Sequence, residues 1–374
     1  MYRTKANTFF LIIFLLLNIA YSTVDSSPTS LLGICMFGTM FVLIILSFFS
    51  TTQKVKNIDY IIFLSASICL ALHFLLTTTS VESIGLILTT LLFYIRLKYI
   101  SISINATKII IIIFLITIFL TFPELLQSLF TLASESSYKG IFKNPNFMGA
   151  FTTITITATF LFVKSKNLKT FLFILFALAL MASKSRNCIL FVISAIGFYL
   201  LLKSRFSKYT SLIFFTAIAV ALYYLIIIEP QTMTAQVQMF GKESGSAGRS
   251  DQILLTITTY PLTLFGVGYD IPNKYSLAIT GFPIHNFYIN SLYALGIVFM
   301  GVYTLFISTI YKNLRNPLAK SFLLSSHIYF LFEPGITFSI VALNNIPIIL
   351  SIISFNQQKN EHRTLYSKSK YRWS

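Results

Sequence analysis

Charged side chains are scarce in this chain, and acidic ones are the scarcest. Asp, Glu, Lys and Arg make up 10% of the 374 residues, whereas a typical soluble domain carries about 25%. Only 11 residues are acidic, while 56% are hydrophobic and the mean hydropathy is +0.79. No soluble fold hides that much apolar surface, so the composition excludes an ordinary water-soluble protein.

Cysteine is also rare, and its spacing predicts no site. Cys35, Cys69 and Cys188 lie in or at the edge of apolar segments, with no C-x-x-C spacing. This pattern favours neither a disulfide nor a zinc site. The formal charge of +17 does not indicate nucleic acid either, because the basic residues fall in short clusters between apolar runs and form no stripe with interleaved aromatics.

Long apolar runs are what the chain has in abundance, and each can cross the hydrocarbon as a helix. They predict an all-α polytopic bundle of about twelve transmembrane helices, forming a single membrane domain over residues 1–374. A large non-cytoplasmic loop is expected over residues 229–286 and a basic cytoplasmic tail over residues 356–374. The predicted spans are approximately Thr8–Ser22, Leu31–Ser50, Tyr60–Thr79, Ile84–Ile95, Ile109–Phe122, Phe147–Val163, Thr170–Ser183, Cys188–Leu202, Tyr209–Ile228, Phe287–Ser308, Ser321–Phe332 and Phe338–Phe355.

Lys and Arg predict the orientation, because cytoplasmic loops retain positive charge during insertion. With Arg3 and Lys5 inside, twelve crossings leave most of the 28 basic residues in the cytoplasm, while Asp59 and Glu361 are the only acids there. Both termini are then cytoplasmic. A cleaved signal sequence in place of the first span would not change the later topology.

The basic residues that violate this bias are the informative ones. A cation at membrane depth costs on the order of 2.5–3.5 kcal/mol, so one on the outer side needs an acidic or anionic partner. Arg186 is the best candidate, because its guanidinium matches a phosphate and stays charged on burial. Snorkelling to lipid headgroups explains Lys184 equally well. The outer basic residues are Lys139, Lys143, Lys184, Arg186, Lys242, Arg249 and Lys274.

The predicted outer loop carries three further motifs, at Gly248–Asp251, Pro261–Gly268 and Pro283–Asn286. The second contains a lone G-x-G, which is weak evidence for phosphate binding. The third places His285 where a membrane helix starts, and an imidazole there could take a proton from a substrate hydroxyl. The other histidines, His73, His327 and His362, have no such cation beside them in the sequence.

These motifs, in this order and on one side of the membrane, resemble the O-antigen ligase and O-antigen polymerase superfamily. The resemblance extends from roughly Lys143 to Gly296 and includes the stretch Lys143-Asn144-Pro145-Asn146. It implies a GT-C-like membrane glycosyltransferase with a polyprenyl-diphosphate-linked glycan as donor, no metal and no cofactor. Arg186 and Arg249 would hold the diphosphate and His285 would deprotonate the acceptor hydroxyl. Substrate binding is expected of Lys184, Lys143, Asn146, Asn286 and Tyr288.

The acids predicted outside are scattered and contain no Asp-x-Asp pair, which agrees with a reaction that needs no Mg²⁺. The expected acceptor is a lipid-linked repeat unit or lipid A core, in a bacterial inner membrane, with a chain-length regulator as a further partner and no nucleic acid. A polymerase is favoured over a ligase because no core-oligosaccharide site is visible. A transporter or flippase would place charges mid-helix and show related halves, and a scaffold would not need the three candidate residues on one side.

Overall fold

The computed structural model describes residues 2–24, 30–50, 55–100, 105–131, 137–224, 249–269, 271–281, 283–332 and 345–354. Helices dominate these ranges, and no strand occurs within them. The side chains of residues 2, 3, 50, 105–107 and 249 are not described. The helices are α1 (Tyr2–Thr23), α2 (Leu31–Ser50), α3 (Asn57–Leu76), α4 (Val81–Leu97), α5 (Asn105–Leu120), α6 (Phe122–Phe130), α7 (Pro145–Phe162), α8 (Lys166–Ser183), α9 (Arg186–Lys203), α10 (Thr210–Tyr223), α11 (Arg249–Thr259), α12 (Ile271–Thr280), α13 (Phe287–Asn313), α14 (Pro317–Tyr329) and α15 (residues 346–354).

Every predicted apolar run overlaps one of these helices, and the polytopic helical membrane fold is confirmed. Six described helices are long and apolar enough to cross a membrane, or up to seven if α5 and α6, bent by 71° at their junction, form one span. The count of twelve therefore stays a prediction. Helices α11 and α12 lie within the predicted outer loop, whereas residues 229–248 and the tail 356–374 are outside the described residues.

A cluster of charged side chains joins four helix ends at what we call the inner end, the end predicted to face the cytoplasm. The Lys98 ammonium forms an ion pair with Asp59, which also accepts the Tyr99 hydroxyl. Lys56 Nζ donates to Asn313 Oδ1 at 2.7 Å, which adds the end of α13 to the start of α3 and the end of α4. Nε of Arg96 likewise donates to Ser47 Oγ at 2.7 Å, which adds the end of α2. These contacts agree with alternating crossings, because all four ends were predicted on one side.

Helix α13 is broken in its middle by an inserted loop. Gly296 has φ of 89° and ψ of 173°, which is not helical, so α13 consists of two helical pieces. The loop Thr263–Gly268 fills the break: Val267 N–H donates to Tyr293 O at 2.9 Å, and Ile297 N–H donates to Thr263 O at 3.2 Å. Backbone groups freed inside a membrane must find such partners, so loop and helix hold each other in place.

Two glycines make this interlock possible, because the backbones touch there. A Cβ on Gly296 would fall on the carbonyl oxygen of Leu264, and a Cβ on Gly266 would fall on that of Ala294. Both glycines also have positive φ, a conformation that costs other residues about 1–3 kcal/mol. The G-x-G motif therefore has a structural role, because Gly266 lets the loop pack into the break in α13.

We expect Gly296→Ala to destabilise the protein by at least about 2 kcal/mol, because backbone strain and overpacking add at one position. Gly301→Ala is the matched control in the same helix, since a Cβ there meets nothing within 4 Å. Thermal unfolding in detergent compares the two. Equal melting temperatures would show that the interlock does not hold α13.

Candidate active site

The junction between α8 and α9 places Arg186 at the first residue of α9. Lys184 ends α8 with φ of 51°, the only positive φ of a non-glycine residue in the described ranges. This left-handed residue reverses the chain within two positions, so α9 starts almost at once. The Arg186 side chain is half-buried at the outer end, which we define as the end opposite the Asp59–Lys98 cluster.

The first turn of α7 supports this junction. A Cβ on Gly149 would lie 2.6 Å from Cβ of Ser185 and 2.9 Å from Sγ of Cys188, so only glycine lets α7 approach so closely. Asn144 starts α7 as its N-cap by accepting the backbone N–H of Phe147 at 3.0 Å. The Asn-Pro-Asn stretch therefore begins a helix that packs directly on the turn before α9.

Lys184 itself has a structural contact. Its side chain is 1% exposed, and Nζ donates to the carbonyl oxygen of Thr131 at 3.1 Å, at the C-terminus of α6. A cation there is favourable, because helix C-termini carry partial negative charge. Burial lowers the pKa of the Lys184 ammonium from its ordinary value. This contact gives Lys184 a structural task in the same turn as Arg186.

The start of α13 is fixed by hydrogen bonds to two other elements. Asn286 caps the helix: Oδ1 accepts Ile289 N–H at 2.9 Å, and Nδ2 donates to Leu331 O at 2.9 Å. The backbone N–H of His285 donates to Gln252 Oε1 on α11 at 3.1 Å. The His285 side chain is half-buried beside this fully buried cap.

Residues 330–332, just after α14, connect α9 to α13. Asn187 Nδ2 on α9 donates to Phe332 O at 3.3 Å, next to the Leu331 carbonyl that Asn286 uses. Phe287 N–H also donates to Phe330 O at 3.0 Å. The neighbouring carbonyls of Phe332 and Leu331 thus hold the N-terminal turns of α9 and α13. Arg186 and His285 therefore lie at adjacent helix starts at the outer end.

Arg249 is the first residue of α11, one helical turn before Gln252. Its side chain is outside the described residues, so only the position of its backbone is known. Ile253 on α11 packs against Ile289 and Tyr293 on α13, which keeps the two helices side by side. The backbone of Arg249 therefore belongs to the same group of helix starts as His285.

Reading the sequence placed His285 where a helix starts, and the structure places Arg186 at a helix start as well. Arg186 is the first residue of α9, Arg249 is the first described residue of α11, and His285 comes two residues before α13. Helix N-termini carry partial positive charge and unpaired N–H groups, which attract phosphate groups. The neighbouring N-termini of α9 and α13 therefore add to the positive field of Arg186. This could have been noticed from the N-cap residues Ser185 and Asn286.

The comparison with protein families gives the identity of this region. Residues 171–304 match the O-antigen ligase family. The match confirms the resemblance to the O-antigen ligase and O-antigen polymerase superfamily, whose members act as glycosyltransferase-type enzymes in O-antigen assembly on lipid-linked glycan and lipid A core. The match supports a function of the O-antigen ligase or polymerase type in general. A comparison with curated proteins finds no match.

The O-antigen ligase region, residues 171–304, contains Arg186, Arg249 and His285. Lys143 and Asn146 precede it, at the start of α7; both side chains are exposed, and Lys143 Nζ lies 5.3 Å from the centre of the Phe147 ring. Tyr288 lies within the region but donates its hydroxyl to His327 O at 3.1 Å, inside the bundle. The side chains of Lys143 and Asn146 are thus exposed at the surface, whereas the Tyr288 hydroxyl is directed towards α14.

His73, which has no cation beside it in the sequence, clamps the loop of the O-antigen ligase region. The side chain is fully buried, and Nδ1 donates to the carbonyl oxygen of Phe265. In a neutral imidazole Nε2 then accepts the hydroxyl of Thr79 at 2.7 Å, and Thr79 Oγ1 accepts Tyr269 N–H at 3.0 Å. Both ends of the Gly266–Gly268 segment are therefore tied to the end of α3. The sequence signal that could have revealed this contact was a polar residue, His73, within an apolar run.

We expect His73→Leu to release this loop. In a chain without native cysteines, the half-buried Val267→Cys should then react with a thiol reagent about 30-fold faster, since two hydrogen bonds of about 1 kcal/mol each are lost. The matched control is His327→Leu, because His327 is also buried but bonds to Tyr303 and the Leu323 carbonyl. Equal labelling rates in the two variants would contradict the clamp.

Proposed function

We propose that the protein is an O-antigen or surface-polysaccharide polymerase of the bacterial inner membrane, with both termini in the cytoplasm. It transfers a glycan from a polyprenyl-diphosphate donor to a sugar hydroxyl of a lipid-linked repeat unit at the outer face. One observation carries the proposal: Arg186, Arg249 and His285 belong to helix starts that are hydrogen-bonded or packed together at one end of the bundle.

The proposed reaction is a displacement at the anomeric carbon of the donor sugar. His285 takes the proton of the acceptor hydroxyl, whose oxygen forms the new bond to that carbon. The bond from the carbon to the diphosphate oxygen breaks, and the polyprenyl diphosphate leaves with the electron pair. Attack opposite the leaving group inverts the configuration of the carbon.

The arginines would stabilise the charge that develops on the leaving diphosphate. Guanidinium groups bind phosphate through two parallel hydrogen bonds, and fixed donors of this kind contribute most where charge appears in the transition state. Arg186 and Arg249 would thereby provide the positive charge for which other enzymes use a metal ion. Lys143 and Asn146, exposed at the start of α7, are the proposed further contacts to the glycan.

A ligase is the second candidate, because the family matched at residues 171–304 is described as O-antigen ligase. A ligase uses the same donor but transfers the glycan to lipid A core. The two functions differ in the acceptor alone, so the donor chemistry above serves both. A chain-length regulator would be the expected protein partner of the polymerase.

Deleting the gene and separating the lipopolysaccharide on a gel distinguishes these functions. Loss of a polymerase leaves core carrying a single repeat, whereas loss of a ligase leaves bare core with lipid-linked polymer accumulating in the membrane. Bare core with unpolymerised lipid-linked repeats kept on the cytoplasmic side would indicate a flippase and overturn the proposal. A normal ladder would do the same.

A further inference from the structure

A small cavity lies between α1, α2, α4 and the start of α15. The centre of a water molecule could occupy a volume of about 10 Å³ within it. The polar residues that line it come from three separate stretches of chain, and the remaining ones are apolar. The lining residues are Phe14, Asn18, Met40, Thr90, Phe93, Tyr94, Asn345, Ile346 and Ile349.

Two buried amide oxygens line this cavity without a hydrogen-bond partner. Asn18 is 1% exposed and Asn345 is 3% exposed, and Oδ1 of each is unpaired in the described structure. Nδ2 of Asn18 donates to Phe14 O at 2.9 Å, which fixes the orientation of that amide and leaves Oδ1 as its unused end. Buried polar groups are rarely left unpaired in a stable protein, so both oxygens call for a hydrogen-bond donor.

We infer that one ordered water molecule binds in this cavity and bridges Asn18 to Asn345. A water molecule has two O–H donors, one for each of the two unpaired amide oxygens. The Tyr94 hydroxyl can donate to the oxygen of that water. A buried water needs about 10–15 Å³ of such space and two to four polar partners, and the cavity meets both conditions. The lining contains no acid, so a bound cation would keep an uncompensated charge inside the membrane.

This water joins elements that are distant in sequence. Asn18 lies on α1, Tyr94 on α4 and Asn345 at the start of α15. The bridge therefore attaches the last described helix to the first, and none of Arg186, Arg249 and His285 lines the cavity. The inference is independent of the proposed function.

A double-mutant cycle tests the bridge. Asn18→Leu and Asn345→Leu should each lower the melting temperature in detergent by about 2–4 °C, because each leaves part of the water's bonding unmet. The double variant removes both acceptors and fills the space, so it should melt close to the wild type. The control pair is Asn18→Leu with Asn290→Leu, because Asn290 does not line the cavity and its effect should add. Additive effects in the Asn18 and Asn345 pair would overturn the bridge.

The identity of the ligand is tested with the wild-type protein. A cryo-EM map that resolves ordered waters should show one peak within hydrogen-bonding distance of both Oδ1 atoms, and the melting temperature should not change when Na⁺ is replaced by K⁺ or choline. Stabilisation by Na⁺ alone would overturn the inference in favour of a cation site. An empty cavity, or amides bonded to each other, would overturn it as well.

Discussion

Arg186→Ala is expected to abolish long-chain surface polysaccharide while the amount of protein in the membrane stays unchanged. The proposed role of this guanidinium is to bind the leaving diphosphate, and removal of one such fixed donor typically costs about 100- to 1000-fold in rate. The side chain is half-buried at the first residue of α9, and the described contacts of this turn are made by Gly149, Lys184 and Asn187. Arg249→Ala should have the same effect.

The Arg186 prediction is measured on a lipopolysaccharide gel in a strain lacking the native gene, beside an immunoblot of the membranes. Arg205→Ala is the matched control, because Arg205 is exposed just after α9 ends, at the opposite end of that helix. Arg186→Lys and Arg249→Lys should remain impaired, since an ammonium cannot make the two parallel hydrogen bonds of a guanidinium. Full activity in the lysine variants would mean that charge alone is required.

His285→Ala is expected to lower the rate of glycan transfer by about 100- to 10,000-fold, the usual contribution of a positioned base. The helix start should survive the change, because α13 is capped by Asn286 and the bond to Gln252 uses the backbone N–H of residue 285. With purified protein, kcat should fall while the KM for the donor stays nearly constant. His285→Gln should be equally slow, since an amide bonds but is not basic.

Chemical rescue separates a base from a structural residue at this position. Added imidazole should restore part of the activity of His285→Ala and none of the activity of Arg186→Ala. A near-normal glycan ladder in His285→Ala would remove the histidine from the mechanism. A large loss of protein from the membrane would assign it a structural role instead.

The helices were predictable from the sequence because each apolar run needs a helix to satisfy its backbone in lipid. The grouping of basic residues at one end agrees with the predicted charge bias, since Lys98 pairs with Asp59, the backbone of Lys56 donates to Tyr99 and Arg96 donates to Ser47; which side of the membrane this end faces stays a prediction. Both inferences rest on local composition. They require no knowledge of which helices touch.

The contacts between distant stretches could not be predicted. The run that forms α13 is apolar enough to be read as one span, so hydropathy does not show the break at Gly296, whose partner loop lies some 30 residues earlier. The clamp formed by His73 and Phe265 spans 192 positions. The buried bond of Lys184 to Thr131 could not be predicted either, and its role as a lipid or substrate contact stays a prediction. Each of these depends on three-dimensional proximity.

The candidate site was predictable as a list of residue types on one side of the membrane. What joins them is carried by other residues, namely Asn187, Gln252 and the carbonyls of Leu331 and Phe332. These groups form hydrogen bonds but have no part in the proposed reaction, so no sequence motif pointed to them. The roles of Arg186, Arg249 and His285 themselves stay predictions.

The most direct test of the central claim is cross-linking between the candidate residues. In a chain whose native cysteines are replaced, Arg186→Cys combined with His285→Cys should be joined by a short reagent with two thiol-reactive groups that cannot cross the membrane, and so should Arg249→Cys with His285→Cys. Arg186→Cys combined with Arg205→Cys is the control, because the length of α9 separates these positions by about 27 Å. Efficient intramolecular cross-links in the first two pairs alone are the predicted result. Single cysteines that react from outside while neither pair cross-links would contradict a common site on the outer face.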